Sequence, residues 1–399
     1  MIDNFIDRSQ TNAEKYTLRE ELFGTSDVIP LWVADMDLRT PEFIFEAIKK
    51  RCEHKILGYE EIPNSAYEAQ IEWVRSRHGF AMKKEWLYYS HSVVASINLA
   101  IKAFSNVGDE VIVQTPVYPP FFHSVTNNDR KVLKNPLKIV DGNFTFDFDD
   151  LRSKITSKTK LLLLCSPHNP VGRVWKREEL EELAQICLEN NIKVLADEIH
   201  SDLIYKPNKH IPFASLSKEV ENITITTYGV GKTFNLAGMA ISTIAIANEK
   251  MREDFERVYE SIHFAQGNTF AHIAFEEAYS NGQPYLEELM THLGKKIEKL
   301  QKALEPFKDQ ISFNSPEGTY LALLNCKKMN LKDKELRSFF VKEAKLGLSA
   351  GISFGREGSG YMRLNFAVSS KLLDQVIEQL VKALNERNSV IRKDKLGSF

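Results

Sequence analysis

The sequence predicts an α/β protein: a large domain with a mostly parallel central sheet flanked by helices, followed by a smaller α+β C-terminal domain. Three observations carry this. Short apolar runs alternate with a helical stripe through the middle of the chain. The last third mixes long helical patterns with short strands. The length, 399 residues, exceeds what one simple core organises.

Residues 110–114 (EVIVQ), 160–165 (KLLLLC), 192–196 (IKVLA) and 222–227 (NITITT) read as strands, from their apolar and β-branched content. Between the second and third, residues 176–190 place Leu180, Leu183, Ala184, Cys187 and Leu188 on one helical stripe. Strand, helix, strand predicts a parallel unit. Residues 283–306 form a long helical pattern closed by Pro306. Strands are expected at 311–314, 320–324 and 362–366, and helices at 334–345 and 371–385. The divisions follow: an arm over 1–45 that packs on the small domain, a large domain over 46–282 and a small domain over 283–399.

Composition narrows the function classes. The chain is 43% hydrophobic and 27% charged, with 52 basic and 54 acidic residues and a formal charge of −2. That balance offers no nucleic-acid surface and no membrane patch. Arg387, Arg392, Lys393 and Lys395 make a modest basic tail, expected to be solvated. Cys52, Cys165, Cys187 and Cys326 are dispersed, which argues against disulfides and a zinc site and fits a reducing compartment. No apolar h-region follows Met1, and no run reaches a membrane span. A cytoplasmic protein is expected.

The chemistry-bearing residues follow the predicted strands, where open α/β sheets bind ligands. Tyr118 follows the first, Asn169 the second, Asp197 and His200 the third, and Lys232 the fourth. A lysine can form a Schiff base with an aldehyde cofactor, and an aspartate can hold a pyridine nitrogen protonated. An asparagine can donate to a ring hydroxyl, and a tyrosine can stack on the ring. Singly, each has an ordinary explanation: a surface charge, a helix cap, a turn, a packing residue. Together, with Asn169, Asp197 and Lys232 spaced by 28 and 35 residues, they point to one site. His200 beside Asp197 lacks the companions of a metal site, so no metal is expected. The GVGKT run at 229–233 has Thr226 where a P-loop needs glycine.

Four motifs carry a closer likeness: WVADMD at 32–37, SPHNPVGRVW at 166–175, DEIHSDL at 197–203 and KTFNLAG at 232–238. On these the chain resembles fold-type I pyridoxal-phosphate enzymes of the class I/II aminotransferase superfamily along nearly all its length. It looks most similar to the MalY/PatB/cystalysin-like cystathionine β-lyase (C–S lyase) branch. The resemblance implies that Lys232 carries pyridoxal 5'-phosphate and moves protons at Cα. It implies that Asp197 pairs with the pyridine nitrogen, Asn169 with the ring hydroxyl, and Tyr118 with the ring face, with His200 a polar neighbour. Ser92, Val93 and Val94 would bind the phosphate at a helix start. Arg363 would clamp the substrate α-carboxylate. Tyr59 would reach the phosphate and substrate from a neighbouring subunit, making a homodimer with a shared site.

The implied reaction is α,β-elimination from cystathionine- or cysteine-type substrates to a thiol or sulfide, pyruvate and ammonia. An aminotransferase acting on an L-amino acid is the alternative, and a lyase with an added regulator-binding role a further one. Two positions depart from the wider pattern. Gly231 stands where many relatives place serine, and Ala240 where aminotransferases often place arginine. The second favours the lyase branch; the first removes one hydroxyl from the phosphate cradle and predicts weaker cofactor retention.

Overall fold

The computed structural model describes residues 2–263 and 267–396. Its central sheet has seven strands: β1 (Leu87–Ser90), β2 (Glu110–Thr115), β3 (Lys131–Pro136), β4 (Thr159–Cys165), β5 (Lys193–Asp197), β6 (Thr224–Tyr228) and β7 (Ser242–Ile246). Their spatial order is β1-β7-β6-β5-β4-β2-β3. Five neighbouring strands, β2 through β6, are parallel, and β7 runs antiparallel to both β6 and β1.

The period of two along each strand explains why the sheet is buried on both faces. Ile112, Leu162, Leu164, Val194 and Ala196 face a layer that contains Leu180, Leu183 and Cys187 of the helix Arg177–Glu189. Val111, Val113, Leu161, Leu163 and Leu195 face the opposite layer, with Ile97 and Ile101 of the helix Val93–Phe104. Burying each such side chain contributes about 1.5–3 kcal/mol against exposure.

The four expected strands of the large sheet all form. In the predicted 176–190 helix Leu180, Leu183, Ala184 and Cys187 are buried as expected, while Leu188 is only partly so. Three strands were not anticipated, namely β1, β3 and β7. β1 is a four-residue edge strand, too short to display a period, and β3 carries Lys131, Lys134 and Asn135 on the opposite edge.

The C-terminal third begins with the helix Gln283–Leu304 and a short turn at Glu305–Phe307 that contains Pro306. A three-stranded antiparallel sheet follows, formed by β8 (Leu321–Asn325), β9 (Ser349–Ala350) and β10 (Tyr361–Asn365), with β10 central. The strand expected at 311–314 does not form. Ile311 alone is buried there, and the segment makes a single bridge from Ser312 to Asn325. The expected 334–345 helix is an α-helix at Asp333–Ser338 that continues as a π-turn at Phe339–Glu343. The last helix is Ser370–Leu396. The side chains of Arg392, Lys393 and Lys395 lie outside the described residues.

Ile29–Pro30, near the chain start, pairs in parallel with Leu346–Gly347. Among the described residues no helix is long and apolar enough to cross a membrane.

Candidate active site

The parallel strands end along one edge of the large sheet, and the register brings their last residues together. Cys165 pairs with Asp197, and Asp197 with Thr227. A cavity of about 450 Å³ opens on this edge. Tyr118, Asn169, Asp197, His200, Lys232 and Arg363 line it, with Ser92, Val93 and Val94. Of the residues expected at the site, Tyr59 is not among them. Its side chain is fully exposed and lies outside this cavity.

Lys232 sits in the turn after β6. Its Nζ donates to the Ala34 carbonyl at 2.6 Å, and the Tyr320 hydroxyl donates to the same oxygen at 2.7 Å. Burial, reinforced by the Arg363 charge, pulls the ammonium down to about 8, so a substantial neutral fraction exists near neutrality. The turn is anchored one residue on, where Thr233 Oγ1 donates to Asp202 Oδ2 at 2.9 Å. Asp202 also accepts from Trp73 Nε1 at 3.0 Å and Arg77 Nε at 2.9 Å. Burial alone would raise the Asp202 carboxyl, but His78 and Arg77 outweigh it and hold the group at about 2.

Asp197 has the opposite balance. Burial raises its carboxyl to about 6, against the Ile199 N–H at 3.2 Å and the Thr227 hydroxyl at 3.4 Å. A carboxylate so placed gains from a cationic N–H partner. His200 is buried with its Nδ1 unpartnered among the described residues. Burial and the charges of Lys232 and Arg363 hold its pKa well below the ordinary range, so the ring is neutral.

Arg363 comes from β10, across the cavity. Its Nη1 donates to Asn169 Oδ1 at 3.0 Å, and its Nη2 to Ser349 Oγ at 3.1 Å and to the Trp32 carbonyl. The Phe354 ring centre lies 4.9 Å from the guanidinium carbon. Among the described residues no carboxylate pairs with this buried cation, and its Nε is unpartnered. Burial lowers it to about 10, which leaves it charged and short of an anion.

The opposite end of the cavity is the start of the helix Val93–Phe104. Ser92 caps it by accepting from the Ala95 N–H at 3.2 Å. The N–H groups of Val93 and Val94 have no intrahelical acceptor, so this end suits an anion.

Sequence reasoning missed several contributors. The 32–37 motif works through its backbone: Trp32 and Ala34 present carbonyls to Arg363 and Lys232. Asp35 and Asp37 bind Arg8 and Lys15 of the first segment. Asn235, three residues after Lys232, accepts from the Met36 N–H at 3.0 Å. Its Nδ2 donates to the Met36 and Leu38 carbonyls at 3.0 and 3.1 Å. Glu14, Ser242, Ser349 and Phe354 also line the cavity. The motif itself was visible; which of its atoms matter was not.

Comparison with known proteins agrees with this arrangement. The model of the family "Aminotransferase class I and II" matches residues 26–380. Cystathionine beta-lyase PatB of Bacillus subtilis is 39% identical over 380 residues, covering 95% of this chain and 98% of the relative. Cystalysin from Treponema denticola, whose crystal structure contains a pyridoxal 5'-phosphate cofactor, is 32% identical. It superposes with a TM-score of 0.93, covering 97% of this chain and 100% of that one. The PLP-bound C–S lyase from Staphylococcus hominis is 34% identical with a TM-score of 0.88, over 96% of this chain and 98% of that one. The family match spans the strands that deliver Asn169, Asp197 and Lys232 as well as the small sheet that delivers Arg363, and the chain belongs to the class I and II aminotransferase family.

Proposed function

We propose that this chain is a pyridoxal 5'-phosphate-dependent C–S β-lyase acting on cystathionine- or cysteine-type amino acids. The observation that carries this is the convergence of Lys232, Asp197, Asn169 and Arg363 on one cavity in a chain similar to named C–S lyases. The residues fit the cofactor. Lys232 is a buried amine partly neutral near pH 8, Asp197 is a buried carboxyl with no ion pair among the described residues, and a helix start with free N–H groups lines the same cavity.

When bound, the cofactor supplies an aldehyde for Lys232 and an electron-poor ring that takes up the electron pair left at Cα. Asp197 would keep the proton on the ring nitrogen, Tyr118 would offer its ring face to the cofactor, and Asn169 would donate its Nδ2 hydrogens to the ring hydroxyl. Its Oδ1 is already used by Arg363. His200 is a neutral polar neighbour. Ser92, Val93 and Val94 would bind the phosphate. Arg363 clamps the substrate α-carboxylate, and the Lys232 amine removes the Cα proton. The pair left at Cα would form the Cα=Cβ bond as the Cβ–S bond breaks with its electron pair going to sulfur, which leaves as thiolate and takes the proton held by the Lys232 amine. Water hydrolyses the remaining three-carbon enamine to pyruvate and ammonia.

Pyruvate and thiol should appear in equal amounts from cystathionine, assayed with lactate dehydrogenase and a thiol reagent, and pyruvate and sulfide in equal amounts from cysteine, the sulfide read by its own assay. Amino transfer to a 2-oxoacid without pyruvate would reject the lyase in favour of the aminotransferase.

The proposal extends to the assembly. Ile56, Leu57 and Tyr59 are all exposed, an apolar strip that supports a homodimer in which Tyr59 serves the neighbouring site. The arm (1–45), cofactor domain (46–282) and small domain (283–399) are the units of that subunit. The cysteines are all free, which supports a cytoplasmic location.

Gly231 lines the cavity beside Lys232. A Cβ there would sit 3.4 Å from the Ala237 Cα, an ordinary contact, so serine fits. Gly231→Ser should slow cofactor loss by about tenfold, the value of one hydroxyl donor to an anion. Cofactor absorbance followed during dialysis measures this, and equal retention in both proteins rejects it.

A further inference from the structure

Glu14 is the one acidic side chain lining the cavity besides Asp197, and it differs from Asp197 in every respect. It is exposed at the mouth, whereas Asp197 is buried on the floor. No hydrogen bond or ion pair engages its carboxylate among the described residues. The backbone beneath it is nevertheless rigid. Lys15, the next residue, is fully buried, and its Nζ lies 2.9 Å from Asp35 Oδ1 and 3.0 Å from Asp37 Oδ2. Trp32, itself a cavity residue, donates its indole N–H to the Lys15 carbonyl at 3.2 Å. Arg8 closes the same clamp with bonds to Asp37 and Asp35 at 2.7 and 2.8 Å. The cations beside Glu14 are thus already engaged, and its own charge is not neutralised by them.

Tyr118 locates this charge relative to the chemistry. Burial raises its phenol, and the Arg363, Asp197 and Glu14 charges all act on the same hydroxyl. Glu14 is therefore within electrostatic reach of the ring that also feels the carboxylate clamp. A substrate held by Arg363 with its sulfur substituent running toward the mouth would bring the far end of that substituent to Glu14.

We propose that Glu14 is a specificity-determining residue, selecting cysteine thioethers whose sulfur substituent ends in a cation. This inference rests on the lyase reading, and it predicts more than that reading does. A thioether whose substituent ends in an ammonium alone belongs to the favoured class; a neutral alkyl of equal size does not, and a zwitterionic amino-acid end gains less because its carboxylate offsets its ammonium.

The test compares S-(2-aminoethyl)-L-cysteine with S-propyl-L-cysteine, which differ by an ammonium against a methyl. Wild-type holoenzyme should favour the aminoethyl compound about three- to tenfold in kcat/KM, the range of a partly solvated ion pair, through KM rather than kcat. Glu14→Gln should bring that ratio close to one, and Glu14→Lys should invert it. Each compound is also mixed rapidly with the holoenzyme and the initial change in visible absorbance, before turnover, is followed against concentration, which gives Kd independently of pyruvate release. A ratio that is the same in wild type and both variants overturns the inference even if pyruvate is formed from both compounds. If neither compound yields pyruvate but the Kd ratio still follows the residue at 14, the lyase reading fails and the role of Glu14 stands.

Discussion

Lys232→Ala lowers pyruvate formation at least about 10³-fold while leaving the protein folded. General acid–base catalysis by a positioned side chain is worth about 10²–10⁴, and the Lys232 amine is proposed to serve both as cofactor attachment and as Cα base. The fold survives because the amine is not a net stabilising group. Burial and the Arg363 charge already disfavour its ammonium form, pulling it down to about 8. The Ala34 carbonyl also keeps its second donor, the Tyr320 hydroxyl at 2.7 Å. The melting temperature of the cofactor-free variant should therefore equal or exceed that of the cofactor-free wild type. Added small amines should restore part of the rate, which a collapsed site would not allow. Retention of more than a tenth of the wild-type rate would sink the assignment.

Asp197→Asn is the second large effect. The amide oxygen can keep the bonds from the Ile199 N–H and the Thr227 hydroxyl, so shape is preserved and the negative charge is lost. That charge is the one proposed to hold a proton on the ring nitrogen, so kcat should fall by roughly 10²–10³ with KM little changed, as for loss of a buried electrostatic stabiliser. Stability gives an independent readout. In the cofactor-free protein burial raises this carboxyl from 3.8 to about 6, so the folded state binds the proton more tightly than the unfolded one. The resulting stabilisation is complete below pH 3.8 and is lost as pH rises through about 6. Asparagine has no such proton, so denaturant titrations between those limits should show the stability of wild type minus that of the variant falling as pH rises. Parallel curves for the two proteins would mean that Asp197 is not the buried acid described.

What the sequence revealed followed from periodicity. The runs 110–114 and 160–165 alternate between two buried faces, and a parallel sheet places their ends on one edge, so Asn169, Asp197 and Lys232 could be assembled from spacing alone. Arg363 was named through the resemblance, and the structure places it buried within an apolar strand, where a guanidinium needs a partner. The edge strand β1 escaped because four residues are too few to set a period, whereas β7 is as long as the anticipated β5 and β6 and its length does not account for the miss. Ile311 misled in the opposite direction, since one buried residue beside a turn imitates a strand. Glu14 left no trace either. Its place at the cavity mouth depends on Lys15, Asp35 and Asp37 meeting in three dimensions.

The bonds from Asn235 to Met36 and Leu38 have a consequence for anyone who would rebuild this enzyme. Residues 32–37 and 232–238 stand some two hundred positions apart in the chain, yet each supplies what the other lacks. The early stretch caps the lysine with a carbonyl, and the late stretch satisfies the early stretch's own main chain. A chimera that imports either stretch alone inherits unmatched donors and acceptors around its lysine. The two must be transplanted as a pair.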